Sequence, residues 1–485
     1  MPESSSYDPY AMPVDAVQEP PVSLWNALKK IGPGIILAGS IVGSGELIQT
    51  TKLGADWGFQ FLWLILFSCV IKVFVQIELG RYAISSGKPT LGALNELPGP
   101  RLGAHWLVWW WLAMLLATVF QLGAMCGGVG QALDLAFPAV SQKIVAALAD
   151  SMPRLSQVIQ QNPAHPWAVL TAFSAIALLL SGGYKRIELL TTILVVTVTF
   201  FTVLGVVMLP SAGYPIPIRD VVNGATVAMF AIPAAGVAAA FSTFGITGVG
   251  ASELYSYPYW CLEKGYARNA GVNSPNEDWV RRAKGWIRVL RLDAWASMVV
   301  FTSATVAFYF MGATVLHSLE NKPDGSTMVA TLSKMYLVFG DWTKLAFLIG
   351  VWAVLFKTLY VASAGHARLT ADFFSLAGFV KYDNAQSRGR CIRALCVFYP
   401  LLALVFYLFV GNPITLVLIG GYAQGLTLPV ISAAALYLRY RRTDPRLAPS
   451  KLSDALLWIS VIAISVGAAY ALGTPVMEWI RKTLV

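Results

Sequence analysis

Long apolar runs separated by short polar connections fill the chain from residue 33 to residue 473. A membrane span needs about 20 apolar residues. Runs of that size fall near 33–53, 58–83, 106–137, 166–182, 187–209 and 227–259, then near 289–316, 343–372, 393–410, 413–438 and 454–473. The pattern predicts an all-α polytopic membrane protein with eleven transmembrane helices, numbered spans 1 to 11 in chain order. Residues 1–23 are rich in Pro, Ser, Asp and Glu and lack the basic start and apolar core of a cleavable signal peptide, so they read as a mobile tail. Trp25 to Lys30 is expected at the membrane surface. The segment 317–342, with Pro323, Asp324 and Gly325, is expected as an outer connection with a short surface helix.

Two interruptions of the apolar pattern are nearly identical. They read Val42-Gly43-Ser44-Gly45-Glu46-Leu47 in span 1 and Val249-Gly250-Ala251-Ser252-Glu253-Leu254 in span 6. Glycine inside a helix is unfavourable by roughly 1 kcal/mol relative to alanine, and an intramembrane carboxylate is expected to be functional. Both liabilities occur together, twice, five spans apart. This predicts broken helices 1 and 6, one from each half of an internal repeat, with their breaks meeting at one site. Five spans per half makes the copies opposite in topology. The expected organisation is a tail over 1–30, a first repeat over 31–210, a second over 211–440, and span 11 with the C-terminus over 441–485.

Where a helix unwinds, the carbonyls ending its first half lose their partners, and the negative end of that half-helix favours a cation. Glu46 and Glu253 are therefore expected to face one midplane cavity. Backbone oxygens near Gly43 and Thr247 and the side chains of Gln424 and Thr427 are expected around it. Gln424 and Thr427 lie three apart on one face of span 10, where a polar pair bonded within the bundle is the equal alternative. Ser44, Gly45, Gly250, Ala251 and Ser252 are small and would widen the site. The competing reading of the breaks is close helix packing, with each glutamate neutralised by Lys52, Lys72 or Lys357. Span 3 carries no Asp or Glu before Asp134, and its central polar group is Gln121. His366 reads as an interfacial or packing residue, and Glu78 with Arg81 as a structural ion pair or gate contact.

Composition agrees with a membrane assignment. The 485 residues are 56% hydrophobic and only 12% charged, with mean hydropathy +0.63, against about 25% charged in soluble domains. The net charge of +10 does not indicate nucleic acid, because the basic residues collect in alternate loops: Lys264 to Arg291, Lys381 to Arg393, and Arg439 to Lys451. That is the positive-inside pattern. It predicts a multi-pass plasma-membrane protein with a cytoplasmic N-terminus and an extracellular C-terminus. Cys69, Cys126, Cys261, Cys391 and Cys396 show no CxxC spacing, and the four histidines form no ligand cluster, so neither a disulfide framework nor a zinc site is expected. No HExxH or serine/lysine dyad accompanies the two glutamates, which argues against an intramembrane enzyme.

The order of elements, Gly32-Pro33-Gly34 opening span 1, Tyr184-Lys185-Arg186-Ile187-Glu188 before span 5, and Leu428-Pro429 in span 10 resemble the Nramp divalent-metal transporters over most of residues 30–440. The resemblance implies the LeuT/APC-type arrangement of two inverted five-helix repeats and carriage of Mn²⁺ or Fe²⁺ together with protons. The departures sit at the site. The family's first-span motif Asp-Pro-Gly-Asn is matched by Gly43-Ser44-Gly45-Glu46, and its Met-Pro-His by Gly250-Ala251-Ser252. The acidic residue of its third span is matched by the apolar region around Met114. This altered set is similar to the branch of Nramp-related magnesium transporters. Loss of a thioether removes a soft ligand, whereas Mg²⁺ takes oxygen and keeps several waters.

The expectation is a facilitated carrier of largely hydrated Mg²⁺ and Mn²⁺, working by alternating access without proton coupling and without a resident cofactor. Its partners would be the ion and the bilayer, with no nucleic acid and no obligatory protein. A proton-coupled Mn²⁺/Fe²⁺ carrier is the alternative. An amino-acid symporter of the same fold is disfavoured, since two carboxylates repel a substrate carboxylate and no basic residue lies within either break.

Overall fold

The computed structural model describes residues 16–484 apart from 227, 229–231, 320–322, 324 and 383–384. Among the described residues, nine helices are long and apolar enough to cross a membrane. They are span 2 (Leu62–Ser86), span 3 (Trp106–Ala136), span 5 (Tyr184–Met208), span 6 (Ala234–Lys264, broken), span 7 (Glu277–Leu316), span 8 (Trp342–Leu376), span 9 (Ala385–Val410), span 10 (Pro413–Arg441) and span 11 (Lys451–Gly473). Span 4 is helical over His165–Ser181, only 17 residues, and meets the helix Pro153–Gln161 at 90°. Span 1 is divided into Pro33–Ile41 and Gly45–Trp57, each too short to cross alone. Each of the eleven predicted runs is thus helical over most of its described residues. Among the described residues, the strands are a single hairpin of two-residue strands, Arg101–Leu102 with Ala104–His105.

Several elements exceed the predicted ranges for local reasons. Span 7 begins well before residue 289 because the Asn276 side chain accepts from Asp278 N at 2.9 Å, and Glu277 and Asp278 then favour the positive end of the helix. The helices Pro138–Leu148, Pro153–Gln161 and Ile218–Ala225 join spans and leave no mark on the apolar pattern. The helix in the outer connection, Met328–Leu337, is buried rather than on the surface, with Met328, Val329, Leu332 and Met335 all sealed from solvent. Gln131 of span 3 anchors it, accepting from Val329 N at 3.2 Å. Asp324, expected in this connection, lies outside the described residues.

Span 3 packs between spans 8 and 10, and span 7 packs against spans 1, 2 and 5. Small residues allow these approaches, as expected where lipid supplies no hydrophobic drive between helices. A Cβ on Gly245 of span 6 would stand 2.1 Å from the Gly421 carbonyl of span 10. Part of the tail is docked rather than mobile: Gln18 N donates to Asn269 O at 2.9 Å, the Trp286 indole donates to Gln18 O at 3.0 Å, and Glu19 pairs with Arg281. The Arg281 guanidinium holds the exposed Glu19 carboxyl below its usual range by hydrogen bonding. Residues 1–15 of that tail lie outside the described residues.

Candidate metal-ion site

Span 1 leaves the α-helix at Val42 (φ −67°, ψ 77°) and resumes as a π-helical turn over Gly45–Thr50. The half before the break is 1a (Pro33–Ile41) and the half after it 1b (Gly45–Trp57). Span 6 breaks between 6a (Ala234–Ile246) and 6b (Ala251–Lys264). The turn is made by Thr247 to Gly250, with Gly248 at φ +67°, a left-handed conformation that favours glycine. Gly248 also lies against the backbone of Cys69, 2.9 Å from where a Cβ would stand. The second break therefore begins two residues upstream of the predicted stretch and shares only Val249 and Gly250 with it. Ala251 and Ser252 already belong to the first turn of 6b, where small size gives no extra room in the break.

Two of the carbonyls at each break are occupied by a lysine. Lys357 Nζ of span 8 donates to Gly39 O at 2.8 Å and Val42 O at 2.5 Å. Lys72 Nζ of span 2 donates to Thr247 O at 2.8 Å and also to Phe244 O. The alternative in which lysines neutralise Glu46 and Glu253 does not describe these contacts: Lys72 and Lys357 go to main-chain oxygens, and Lys52 pairs with Asp56 at 2.9 Å. The Gly43 carbonyl, expected as a ligand, accepts from Leu47 N at 2.9 Å. The Thr247 carbonyl, also expected, takes Lys72 and the Ser68 hydroxyl at 3.0 Å.

The two glutamates have different surroundings. Glu46 is fully buried, accepting from Gly43 N at 3.3 Å and from Thr305 Oγ1 of span 7 at 3.4 Å. Glu253 is half-buried and accepts from Ser40 Oγ at 2.8 Å. Only Glu253 borders the cavity at the centre of the bundle. That cavity measures about 30 Å³ and is bounded by Ser40, Thr118, Gln121, Met125, Ser252, Glu253 and Gln424, with Ser256 and His366 continuing it toward the basic-loop side. The expected single cavity shared by both glutamates is absent, because the break of span 1 turns Glu46 toward span 7.

A chain of amides links the two breaks. Gln121 Nε2 donates to Ser44 Oγ at 3.1 Å, Gln424 Nε2 donates to Gln121 Oε1 at 3.1 Å, and Ser252 N donates to Gln424 Oε1 at 3.1 Å. The small residues serve this network. A Cβ on Gly250 would stand 2.4 Å from Gln424 Oε1 and 2.6 Å from Glu253 Oε2, and one on Gly45 would touch Ile246 at 3.4 Å. Gly250 thus admits the protein's own polar groups, and Gly45 the Ile246 side chain, instead of widening a cavity for an ion. Thr427 lies elsewhere, donating to Ala423 O at 2.9 Å and accepting from Trp110 Nε1 at 3.2 Å.

Ser40, Thr118, Met125, Ser256 and His366 border the cavity without being expected there. Their one available signal is helical spacing: Ser40 precedes the first break by less than a turn, and Ser256 follows Glu253 by three positions on 6b. His366, expected as a packing residue, is buried against Tyr399 and also borders the cavity. Among the described residues, no group of three or more His, Cys, Asp or Glu is placed to hold a metal ion. A dication would therefore meet one carboxylate plus neutral oxygens. At about 10–15 Å³ of such cavity volume per water, this space takes two or three waters, fewer than the six of a fully hydrated ion. The wide site expected for a largely hydrated ion is not present in this conformation.

Both ends of the site are packed. On the basic-loop side, Asp293 accepts from Gly32 N at 2.8 Å and Gly34 N at 2.6 Å, fixing the start of 1a, and Lys264 pairs with Glu188 at 2.5 Å. On the other side, Tyr309 OH donates to Gly58 O at 2.6 Å and accepts from Phe61 N at 3.0 Å, within a cluster of Trp57, Phe59 and Phe310. Glu78 and Arg81 form the structural ion pair at 2.9 Å, and Arg81 also holds Leu447 O at 3.0 Å.

The model of the natural resistance-associated macrophage protein-like (Nramp) family matches residues 34–474. An uncharacterised protein of Pasteurella multocida is 22% identical over 486 residues, 95% of each chain. The divalent metal cation transporter MntH of Pectobacterium carotovorum is 23% identical over 138 residues, 28% of this chain and 32% of that one. Among solved structures, the Eremococcus coleocola manganese transporter bound to an aromatic bis-isothiourea compound superimposes with TM-score 0.63 at 14% identity, covering 94% of this chain and 88% of that one. MhsT in complex with L-phenylalanine gives TM-score 0.60 at 16% identity, covering 94% and 99%. At these identities the structural likeness establishes the fold, that of the LeuT-type carriers.

Proposed function

Because this chain belongs to the Nramp family, we propose that it is a carrier of divalent cations, Mg²⁺ and Mn²⁺, working across the plasma membrane by alternating access. The observation that carries this reading is the Glu253 carboxylate facing a small polar cavity at the meeting point of two broken helices. A dication there gains a full negative charge in a low-dielectric setting, with Ser40, Ser252 and Gln424 offering neutral oxygens. Neither Asp nor Met stands at the family's ligand positions, which supports hard ions over soft ones. The MntH relative is named for divalent metal and the Eremococcus transporter for manganese, which supports the metal class. Carriage, with no chemical transformation, is the whole activity.

In this conformation the cavity holds an ion that has shed most of its waters. A largely hydrated ion requires it to open along Ser256 and His366. We place the N-terminus and the basic loops in the cytoplasm, so this route leads inward.

A second reading has its own support. Met125 and His366 border the same cavity, and thioether and imidazole suit transition metals. On that reading the cargo is Mn²⁺ or Fe²⁺, with Mg²⁺ excluded. Titration of the purified protein with Mn²⁺, Mg²⁺ and Cd²⁺ separates the two. Comparable Mn²⁺ and Mg²⁺ affinity supports the hard-ion carrier, Cd²⁺ binding far tighter than Mg²⁺ supports the second, and no binding of any dication rejects both.

A further inference from the structure

The two lysines at the breaks repeat one arrangement. Each ammonium bridges two carbonyls three residues apart where a half-helix ends, Gly39 and the capping Val42 at 1a, Phe244 and the capping Thr247 at 6a. Each is accompanied by a hydroxyl from the lysine's own helix. Thr358 Oγ1 lies 3.3 Å from Gly39 O and 3.4 Å from Val42 O, and Ser68 Oγ lies 3.4 Å from Phe244 O and 3.0 Å from Thr247 O. Lys72 also lies 4.4 Å from the centre of the Phe244 ring. Both lysines are sealed from solvent.

Duplication of the chain does not explain the pair. Inverted repeats match span 1 with span 6 and span 2 with span 7, so the counterpart of span 2 is not span 8. The two lysines reach equivalent carbonyl ends from inequivalent helices. What they share is the electrostatic demand of the site: two or three oxygens at the negative end of a half-helix attract a cation. Burying an ammonium costs several kcal/mol unless it is fully engaged, so both positions are stringent cation sites.

We infer that Lys357 and Lys72 are tethered cations occupying two alkali-ion sites, one formed by Gly39 O, Val42 O and Thr358 Oγ1, the other by Phe244 O, Thr247 O and Ser68 Oγ. The native carrier therefore has no vacancy for a free monovalent ion at either break. Removing an ammonium opens an oxygen-lined space able to take a hard monovalent cation, with water completing its shell. Sodium fits the oxygen donors, and a small alkylammonium reproduces what was removed. This inference does not rest on the identity of the transported substrate.

The test compares the native chain with Lys357→Ala and Lys72→Ala, purified in detergent, by thermal unfolding in NaCl, methylammonium chloride and choline chloride at equal ionic strength. The native protein is expected to unfold at the same temperature in all three. Each variant is expected to unfold at a higher temperature in sodium or methylammonium than in choline, by about 2 °C or more at saturating cation. The two variants probe separate sites, so either one recovered in folded form decides its own site. A folded variant indifferent to the three cations overturns the proposal, as does a sodium-specific shift in the native protein. Failure of both variants to fold even in NaCl and methylammonium also overturns it, because a free cation would then be unable to replace the ammonium.

Discussion

The side-chain amide of Gln424 donates to Gln121 Oε1 at 3.1 Å, and Gln121 in turn donates to Ser44 at 3.1 Å. Through these two glutamines the break of span 1 is tied to span 3, to span 10 and, by Ser252 N, to the first turn of 6b. Gln121→Leu leaves the Gln424 amide and the Ser44 hydroxyl without their partner. Leaving buried polar groups unsatisfied costs about 1–3 kcal/mol. The expected outcome is destabilisation of that order for Gln121→Leu and for Gln424→Leu, with the double variant less damaged than the sum by about 1 kcal/mol. Denaturation of the four proteins measures the coupling, and strict additivity would show that the amide pair does not act as a unit.

Carboxylate location separates the roles of the two glutamates. Glu253 borders the cavity whereas Glu46 is closed in by Gly43 and Thr305. Glu253→Gln keeps the shape and removes the charge, so Mn²⁺ uptake into proteoliposomes should fall at least about tenfold, the equivalent of roughly 1.4 kcal/mol. Ser40→Ala removes one hydrogen bond to that carboxylate and should cost about two- to fivefold, in line with about 0.5–1 kcal/mol. Glu46→Gln is expected to disturb uptake less than Glu253→Gln. The reverse order would place the ion on the span 7 side of the break.

The spans and the broken helices are legible in the sequence because their signals are local. Twenty apolar residues read as a span wherever they pack, and Gly-Ser-Gly-Glu within such a run joins helix-weakening glycines to a charge that lipid does not accept. The direction of side chains is not legible. Glu46 and Glu253 occupy matching positions in matching motifs, yet a π-helical turn over Gly45–Thr50 rotates one of them away from the cavity. The second break begins at Thr247, earlier than its motif suggests, because Gly248 supplies the left-handed turn. Lys72 and Lys357 look like partners for carboxylates and are instead partners for carbonyls. Which carbonyls are free, and which helix stands opposite them, is a property of packing between segments far apart in sequence.

Gly245 lies at a close backbone approach of spans 6 and 10. A methyl group there would overlap the Gly421 carbonyl at 2.1 Å and the Gly425 amide nitrogen at 2.7 Å, and backbone cannot yield as a flexible side chain does. Gly245→Ala should therefore destabilise the protein by at least about 1–3 kcal/mol, the usual range for overpacking, or abolish recovery of folded material. Gly350, with nothing within 4 Å of an added Cβ, is the control, and Gly350→Ala should be neutral or slightly stabilising. Fluorescence-detected size exclusion after graded heating compares the two. Equal behaviour would mean that 6a and span 10 are not in contact.

Arg368 closes the basic-loop side of the cavity. Its guanidinium pairs with both oxygens of Glu263, at 2.5 Å and 3.0 Å, and lies 4.7 Å from the ring centre of Trp260, which borders the cavity. Lysine cannot reproduce a bidentate, stacked guanidinium. Arg368→Lys is expected to loosen this end and raise the rate at which a cysteine placed at Ser256 reacts with a water-soluble thiol reagent. The rate at a cysteine placed at Phe59, on the opposite side, should be unchanged. Parallel changes at both positions would indicate general loosening rather than the opening of one end.

Transport is expected to be uncoupled from protons. Span 3 carries the apolar region around Met114 where the Nramp resemblance places an acid, and Ser252 stands where it places a histidine. The charges at the breaks are two carboxylates, Glu46 and Glu253, and two ammoniums, Lys72 and Lys357. Two acids are thus matched in number by two bases, which leaves no formal net charge for a proton to neutralise. His366 is the group that could spoil this, since it borders the cavity on the basic-loop side. Energetics permit an uncoupled carrier: one charge moved through 100 mV is worth about 2.3 kcal/mol, so a dication gains about 4.6 kcal/mol. At about 1.4 kcal/mol per tenfold, that alone supports roughly thousand-fold accumulation. Proteoliposomes containing a pH-sensitive dye, with no imposed pH gradient, provide the measurement. Mn²⁺ or Mg²⁺ uptake should respond to an imposed potential while the internal pH stays constant, in the native protein and in His366→Ala alike. Metal-dependent acidification that disappears in His366→Ala would refute the uncoupled reading and identify that histidine as the proton carrier.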